Sequence, residues 1–253
     1  MLTEEQRERI EVVLVSPRNP LNIGAAARAM ANFGFGRLAV VAPYEAHWRE
    51  AKSAVGAEEL LQTARREEGL AAAVAECTLA IGTGTVARRR PEQMAVTLPE
   101  VASRVAQELE RGGRVALVFG PEKHGLTRDE LGLCHLLVEI PTQAGQPSMN
   151  LGQAVAVCLY ELAVRGSKAV SGAGPMPAAD DGQGDEGPAS MRDLDRLAGV
   201  VAEAMRAAHY SPAAMARANR HDVDVLLRRL SLRRRDARRI LGLFRRILWR
   251  IQH

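Results

Sequence analysis

Short runs of apolar, mostly β-branched residues recur along the first 140 positions of the chain. They are IEVVLVS (10–16), RLAVVA (37–42), CTLAIG (77–82), RVALVF (114–119) and LLVEI (136–140). Each run is nearly continuous in hydrophobicity, which is typical of a parallel strand covered by helices on both faces of its sheet. The pattern therefore predicts five strands of one parallel sheet.

Between these runs, apolar residues recur with the spacing of amphipathic helices. Such segments cover 22–33, about 57–75, 99–111, 127–133 and 150–165. The fourth segment begins with Thr127, and Glu130 follows three residues later, which is the pattern of a capping box. Strands that alternate with helices predict an α/β domain with a parallel sheet over residues 1–165.

The composition changes after residue 165. Residues 166–190 contain six glycines and three prolines but no aromatic residue. Such a segment buries too little apolar surface to fold, so we predict a flexible linker. Helical spacing returns in residues 191–253, which we predict to be a small, all-helical C-terminal domain. Its last helix has one apolar stripe, formed by Ala237, Ile240, Leu241, Phe244, Ile247, Leu248 and Ile251.

The charge is divided unevenly between these parts. Residues 191–253 contain 15 arginines and six acids, a net charge of +9, whereas residues 1–190 carry −5. Clustered arginines favour a polyanion partner, such as a nucleic acid, over the alternative of a solvated helical surface. The candidate contacts are Arg235, Arg238, Arg239, Arg245 and Arg246.

The overall composition excludes several classes of protein. Hydrophobic residues make up 47% and charged residues 25%, and no apolar run reaches the length of a membrane span. The N-terminal segment carries acids where a signal peptide is basic. The three cysteines are far apart, which argues against disulfides and a zinc site. We therefore expect a cytoplasmic protein without a metal or a membrane partner.

One glycine motif is misleading. The stretch GTGTVA (82–87) follows a strand and matches the dinucleotide-binding pattern G-x-G-x-x-A. That motif requires a helix to begin at once, whereas RRRP follows here and Pro91 disfavours a helix at that point. A nicotinamide-dependent oxidoreductase is therefore disfavoured. We interpret the segment as a loop whose backbone approaches some ligand closely.

The motif Asn22-x-Gly24-x-x-x-Arg28 lies on the turn and helix after the first strand, and most of its neighbours are Ala and Gly. Gly24 and Arg28 share a helix face, so we expect the guanidinium to project past a bare stretch of backbone. The alternative is a structural ion pair at Arg28.

Two further motifs follow the fourth and fifth strands, VFGPEKHGL (118–126) and IPTQAGQPSMNLGQAV (140–155). Taken alone, Glu122 is explained as a surface charge, and Ser148 or Asn150 as a helix N-cap. Open α/β sheets, however, bind their ligands at the carboxyl ends of the strands, where all three motifs lie. The joint pattern therefore predicts a functional site.

In order and spacing, these motifs resemble those of the SpoU (TrmH/TrmJ-like) branch of the SPOUT RNA methyltransferases. The resemblance covers residues 10–165, and the tail is similar to the C-terminal helical extension of the bacterial TrmJ type. It implies a trefoil-knotted α/β fold, a homodimer and S-adenosylmethionine (SAM) as methyl donor. The implied reaction is RNA ribose 2′-O-methylation, on cytidine or uridine at position 32 of tRNA. The alternatives are a ribosomal RNA substrate or a non-catalytic knotted RNA-binding protein.

The resemblance also assigns site residues. The implied SAM-binding residues are Thr83, Gly84, Thr85, Gly120, Ile140, Pro147, Ser148 and Met149. The implied catalytic residues are Arg28, Glu122, Ser148 and Asn150, with Asn22 and Arg28 on the RNA side. Arginine is a poor base at neutral pH. Arg28 therefore either binds the adjacent RNA phosphate or transiently accepts the hydroxyl proton, and in both cases we expect its small neighbours to admit the RNA backbone. A general-base role for His124 is disfavoured.

Overall fold

The computed structural model describes residues 2–84, 91–143, 145–165 and 187–253. The described strands form one sheet and are, in chain order, β1 (Ile10–Val15), β2 (Arg37–Val41), β3 (Arg65–Glu67), β4 (Leu79–Thr83), β5 (Met94–Thr97), β6 (Val115–Phe119) and β7 (Leu136–Glu139). Across the sheet their order is β3-β2-β1-β6-β4-β7-β5, and every neighbouring pair is parallel. All seven strands therefore end at one edge of the sheet, the carboxyl edge.

Helices cover both faces of this sheet. The described α-helices are α1 (Glu4–Arg7), α2 (Pro20–Phe33), α3 (Glu58–Thr63), α4 (Leu70–Ala73), α5 (Leu98–Glu110), α6 (Arg128–Gly132), α7 (Leu151–Arg165), α8 (Met191–Ala207), α9 (Ala216–Arg229) and α10 (Arg234–Gln252). One core cluster joins the sheet to α2, α3, α5 and α7, and a second joins its other face to α4, α6 and α8. Because both faces are covered, every residue of β1 and β6 is buried.

The prediction of an α/β fold with a parallel sheet is confirmed, and all five predicted strands are present. The helix predicted over 57–75 is wrong, because α3 and α4 are separated there by the short strand β3. β3 pairs with β2 at one end of the sheet, and Arg65 in β3 forms two hydrogen bonds of 3.0 Å with the carboxylate of Glu11 in β1. Strand pairing and this ion pair outweigh the helical propensity of the segment.

Capping residues set where the helices begin. Asn19 caps α2 by accepting a hydrogen bond of 3.0 Å from the backbone N–H of Leu21, and Pro20 is the first helical residue. The helix therefore begins two residues earlier than predicted. The predicted capping box at α6 is confirmed, because Thr127 and Glu130 each accept a hydrogen bond from the other's backbone N–H.

The C-terminal helices pack on the sheet. Met191 and Leu194 of α8 belong to the second core cluster, and the backbone N–H of Met191 donates to the carbonyl of Cys77 at 2.8 Å. A small third cluster joins α8, α9 and α10. Of the predicted linker, residues 166–186 lie outside the described residues. Ala189 is buried, however, and Ser190 caps α8, so the end of that segment is part of the folded structure.

Residues 2–84, 91–143, 145–165 and 187–253 contain neither a candidate membrane span nor a candidate metal-binding group. None of their helices is long and apolar enough to cross a membrane. Within the same ranges, no three His, Cys, Asp or Glu side chains are grouped so that they could hold a metal ion.

Candidate active site

A chain of hydrogen bonds joins the three motifs at the carboxyl edge. The side-chain amide of Asn22, on α2, donates from Nδ2 to Oε1 of Glu122 at 2.8 Å. Its Oδ1 accepts a hydrogen bond of 2.9 Å from Nδ2 of Asn150, which comes just before α7. Asn22 is separated from Glu122 by 100 residues and from Asn150 by 128 along the sequence, yet the three form one polar unit, which we call the carboxyl-edge triad.

Asn150 has two roles in this unit. Its Oδ1 accepts hydrogen bonds from the backbone N–H groups of Gly152 at 2.9 Å and Gln153 at 3.4 Å, and it therefore caps α7. Its Nδ2 donates to Asn22 at the same time. Asn150 can therefore be both a helix cap and a site residue, because its side-chain oxygen caps α7 while its side-chain nitrogen binds Asn22.

Glu122 is held by donors from the turn after β1. Its Oε2 accepts from the backbone N–H of Arg18 at 3.2 Å, and its Oε1 from that of Asn19 at 3.4 Å. Partial burial raises the pKa of Glu122, but the hydrogen bonds from Asn22 and from these backbone amides outweigh it and lower the pKa. Glu122 is therefore an ionised acceptor near neutral pH. The roles of Arg18 and Asn19 were missed because backbone donors have no sequence signature.

Arg28 lies on α2, six residues after Asn22 of the triad. Its side chain is exposed and makes no hydrogen bond or ion pair with the described residues, so the alternative of an ion pair has no support there. The expected bare stretch at Gly24 is wrong, because the segment 51–54 covers it and a Cβ there would lie 2.2 Å from Oγ of Ser53. The small residues of α2 serve packing, as at Ala25, whose Cβ would lie 2.7 Å from a Cβ on Gly152 of α7.

The residues implied for SAM binding lie at the ends of three adjacent strands. β4 lies between β6 and β7, and its Gly82 and Thr83 pair with Val118 and Val138. This register places Gly84, Gly120 and Ile140 at nearly the same height along neighbouring strands. With about 4.8 Å between strands, they span about 10 Å, a width that suits a nucleoside.

The strand ends offer polar groups in fixed positions. The Thr83 hydroxyl donates to the carbonyl of Val118 at 3.1 Å, and the N–H of Gly84 donates to the carbonyl of Val138 at 3.2 Å. Beyond β7, Pro147 and Met149 are half-buried and Ser148 is exposed. Both of these donors, the Thr83 hydroxyl and the Gly84 N–H, are engaged within the sheet, and the Thr83 hydroxyl oxygen can still accept a hydrogen bond from a ligand. Thr85, also implied for SAM binding, lies outside the described residues.

His124, whose role as a base was disfavoured, and the candidate arginines of the C-terminal region are at the surface. His124 is exposed on the loop of the second motif. The five candidate RNA-binding arginines are exposed on α10, and they are Arg235, Arg238, Arg239, Arg245 and Arg246. The structure therefore joins Asn22, Glu122 and Asn150 by hydrogen bonds.

The parallel α/β sheet and the three motifs joined at its carboxyl edge lie in a part of the chain that matches one known family. Residues 9–160 match the model of the SpoU rRNA Methylase family. The chain belongs to this family.

Particular relatives are similar to the same part of the chain. The tRNA (cytidine/uridine/adenosine-2′-O-)-methyltransferase TrmJ of Pseudomonas aeruginosa is 41% identical over 156 residues, which are 61% of this chain and 60% of that protein. The tRNA (cytidine-2′-O-)-methyltransferase TrmJ of Methanocaldococcus jannaschii is 38% identical over 60% of this chain and 66% of its own length. The chain thus spans less than two thirds of these curated relatives.

A solved structure matches nearly the whole chain. TrmJ from Z. mobilis ZM4 has a TM-score of 0.78 at 28% identity, and the match covers 94% of this chain and 98% of that one. The C-terminal helices are therefore part of the matched architecture.

Proposed function

We propose that the protein is a SAM-dependent RNA ribose 2′-O-methyltransferase whose substrate is tRNA, with cytidine or uridine at position 32 as the target. The observation that carries this proposal is the carboxyl-edge triad, because it joins all three family motifs beside the strand ends that suit a nucleoside. The names of the TrmJ relatives support tRNA as the substrate and the 2′-hydroxyl as the acceptor.

SAM, when bound, supplies an electrophilic methyl group on a sulfonium. The chemistry it would supply is methyl transfer to the ribose 2′-oxygen, whose hydroxyl proton would have to be taken up. This chain would hold the cofactor with Gly84, Gly120, Ile140 and the segment 147–149. Since the donor is already reactive, the main tasks of the protein are to align the hydroxyl and to handle its proton.

The triad gives the site its rigidity. Asn22 donates to Glu122 and accepts from Asn150, so each amide has a fixed orientation. An ionised Glu122 organises the turn before α2, and this turn sets the direction of that helix. In this proposal Glu122 and Asn150 are positioning residues. Arg28 is the RNA-side catalytic residue, which binds the phosphate next to the target ribose.

The C-terminal helices supply a second RNA contact in this proposal. The exposed arginines of α10 lie together with Trp249, whose ring is 48% exposed and has the guanidinium of Arg246 5.4 Å from its centre. Arginine beside an exposed aromatic ring is a combination suited to phosphates and unstacked bases.

We further propose a cytoplasmic homodimer whose subunits meet through α2 and α7 of the knotted domain. These helices pack against each other and leave apolar side chains exposed: Leu21 at 54%, Tyr160 at 53% and Val164 at 39%. Large exposed apolar side chains on neighbouring helices favour a protein–protein contact.

The deciding experiment measures methyl transfer from labelled SAM to a tRNA transcript, with the modified nucleotide mapped. The matched control is the same tRNA with a 2′-deoxynucleotide at position 32, which lacks the acceptor oxygen. We expect transfer to the first RNA and none to the second. Transfer to ribosomal RNA alone would replace the substrate, and SAM binding without transfer to any RNA would favour a non-catalytic RNA-binding protein.

A further inference from the structure

An exposed aromatic ring and an arginine lie together at the carboxyl edge of the sheet. The Tyr44 side chain is 74% exposed, and the guanidinium of Arg18 lies over its ring, 5.8 Å from the ring centre. Arg18 is also exposed, and its guanidinium makes no hydrogen bond or ion pair with the described residues. Because a cation is attracted to the face of an aromatic ring, the two side chains form one surface. We call Arg18 and Tyr44 the aromatic platform.

Backbone hydrogen bonds attach the aromatic platform to the carboxyl-edge triad. The N–H of Tyr44 donates to the carbonyl of Pro17 at 3.2 Å, and the N–H of the next residue, Arg18, donates to Oε2 of Glu122 at 3.2 Å. Pro17 is buried, so the turn that carries Arg18 is anchored in the protein. The aromatic platform therefore has a fixed place beside Glu122.

The order of the strands places the triad between the aromatic platform and the strand ends implied for SAM binding. Tyr44 follows β2, Arg18 follows β1 and Glu122 follows β6, and these strands are neighbours in the order β2-β1-β6. β4, which ends at Thr83, lies on the other side of β6. With about 4.8 Å between strands, the ends of β2 and β6 are about 10 Å apart. A nucleotide bound over the triad would therefore have SAM on one side and the aromatic platform on the other.

Both loops of the aromatic platform leave the sheet through a strained residue. Ser16 and Ala42 come directly after β1 and β2, and their φ angles of 45° and 42° lie in the left-handed region that favours glycine. Each N–H donates at 2.8 Å to a carbonyl at the end of a neighbouring strand, from Ser16 to Val41 and from Ala42 to Glu67. Such conformations are uncommon for residues with a side chain, and they cluster at functional sites. Here they set the direction in which the two loops leave the sheet.

We propose that the aromatic platform binds an unpaired nucleotide next to the methylated one, with the Tyr44 ring stacked on its base and Arg18 bound to its phosphate. This role rests on the proposed function and deepens it, because it gives the site a contact with a second nucleotide. Every base has a face that can stack on an aromatic ring. The aromatic platform therefore selects an unpaired segment of RNA rather than one sequence, and it orients the target ribose through the neighbouring nucleotide.

The test compares Tyr44→Ala and Tyr44→Phe with Tyr210→Ala as the matched control. Tyr210 is 70% exposed but follows α8 in the C-terminal region. For each full-length variant, kcat and KM for a tRNA transcript and Kd for SAM are measured. The parent and Tyr44→Ala are also measured on two abasic transcripts, which lack the base on the 5′ or the 3′ side of the methylated nucleotide but keep its ribose and phosphate.

Tyr44→Ala should raise KM for tRNA by about fivefold or more, the effect expected for the loss of one stacked base. Tyr44→Phe, which keeps the ring, and Tyr210→Ala should stay within twofold of the parent, and all three should bind SAM like the parent. One abasic transcript should raise KM of the parent by a similar factor. That rise should be absent in Tyr44→Ala, because both changes remove the same contact.

Several outcomes would overturn the stacking role: a KM within twofold of the parent in Tyr44→Ala, an equal loss in Tyr44→Phe or Tyr210→Ala, or an abasic effect of full size in Tyr44→Ala. A parent that transfers no methyl group to tRNA would instead overturn the proposed function, and this role with it.

Arg18→Gln tests the phosphate contact, since this variant keeps the backbone N–H that binds Glu122. Binding of tRNA at three salt concentrations is measured. Arg18→Gln should lower the slope of log affinity against log salt by about 0.7–0.9, whereas Tyr44→Ala should weaken binding without changing the slope. An unchanged slope in Arg18→Gln would overturn the contact between Arg18 and a phosphate.

Discussion

The side-chain Nδ2 of Asn150 donates a hydrogen bond of 2.9 Å to Asn22, 128 residues earlier in the chain, while the side-chain Oδ1 of Asn150 caps α7. These two functions can be separated by substitution. Asn150→Ser keeps a good N-cap but cannot reach Asn22 in the same way, so we expect a change in stability below about 0.5 kcal/mol and a loss of methyl transfer of about tenfold or more. Urea unfolding and transfer kinetics measure the two effects.

The comparison for this variant is Asn150→Ala, which loses both the cap and the link. It should show the same kinetic loss and in addition unfold with about 1 kcal/mol less free energy. If Asn150→Ser retains the parent rate, the hydrogen bond to Asn22 has no part in catalysis.

Hydrophobic continuity predicted the five central strands because these strands are buried on both faces. The same signal could not find β3 and β5, which form the two ends of the sheet, are short, and expose residues such as Arg65 and Met94. An end strand has only one neighbour, so its pattern carries little information about burial. The sheet contact of Met191 was also beyond prediction, since a stretch of 25 residues separates α7 from α8.

The candidate site, like the fold, was predictable from the sequence only in part. Asn22, Glu122 and Asn150 were selected by their places after strands, and the parallel topology does bring them together. Their hydrogen bonds depend on distances below 3 Å, which residue spacing does not determine. We expected the small residues of α2 to admit the RNA backbone, but Gly24 and Ala25 pack against neighbouring segments of the protein. The sequence could not distinguish these possibilities, because small residues allow either a ligand or another segment to approach closely.

Arg28→Ala should abolish methyl transfer while leaving SAM affinity within a few-fold of the parent. Arg28 is exposed and makes no hydrogen bond or ion pair with the described residues. Its removal should therefore also leave the unfolding free energy within about 0.5 kcal/mol of the parent value. Transfer at saturating RNA and calorimetry with SAM test this. More than a tenth of the parent rate would contradict a catalytic role.

Arg28→Lys distinguishes a phosphate clamp made by two hydrogen bonds from the effect of a positive charge alone. Lysine keeps the charge but not the planar pair of donors, so a phosphate clamp that depends on two parallel hydrogen bonds should remain strongly impaired. Recovery of most of the activity would show that a positive charge at this position is sufficient.

The pKa of Glu122 gives stability a defined pH dependence. Its folded-state pKa is lowered, so its contribution is complete above the ordinary glutamate pKa of about 4.3 and is lost as the pH falls through the folded value. The difference in unfolding free energy between the parent and Glu122→Gln should therefore be constant at neutral pH and shrink in acid. Urea unfolding at pH 7, 5, 4 and 3 measures it; a difference that grows in acid would show that the sign is wrong.

The exposed arginines of α10 should set the salt dependence of tRNA binding. Each phosphate contact contributes about 0.7–0.9 to the slope of log affinity against log salt. Replacing Arg239 and Arg245 by glutamine should therefore lower the slope by up to about 1.4–1.8, with SAM affinity unchanged. Truncation is the poorer test, because Met191 and Leu194 help to cover the sheet and their removal would expose its core.

The matched control for this last experiment is the double variant Arg66→Gln and Arg104→Gln, which removes the same charge from exposed positions on β3 and α5. Its slope should equal that of the parent if contacts matter rather than net charge. The competing explanation is that the exposed apolar residues of α10, including Ile247, dock on the partner subunit and the arginines only keep the helix soluble. In that case Arg239→Gln with Arg245→Gln would leave the slope unchanged, and Ile247→Ser would weaken the dimer in sedimentation.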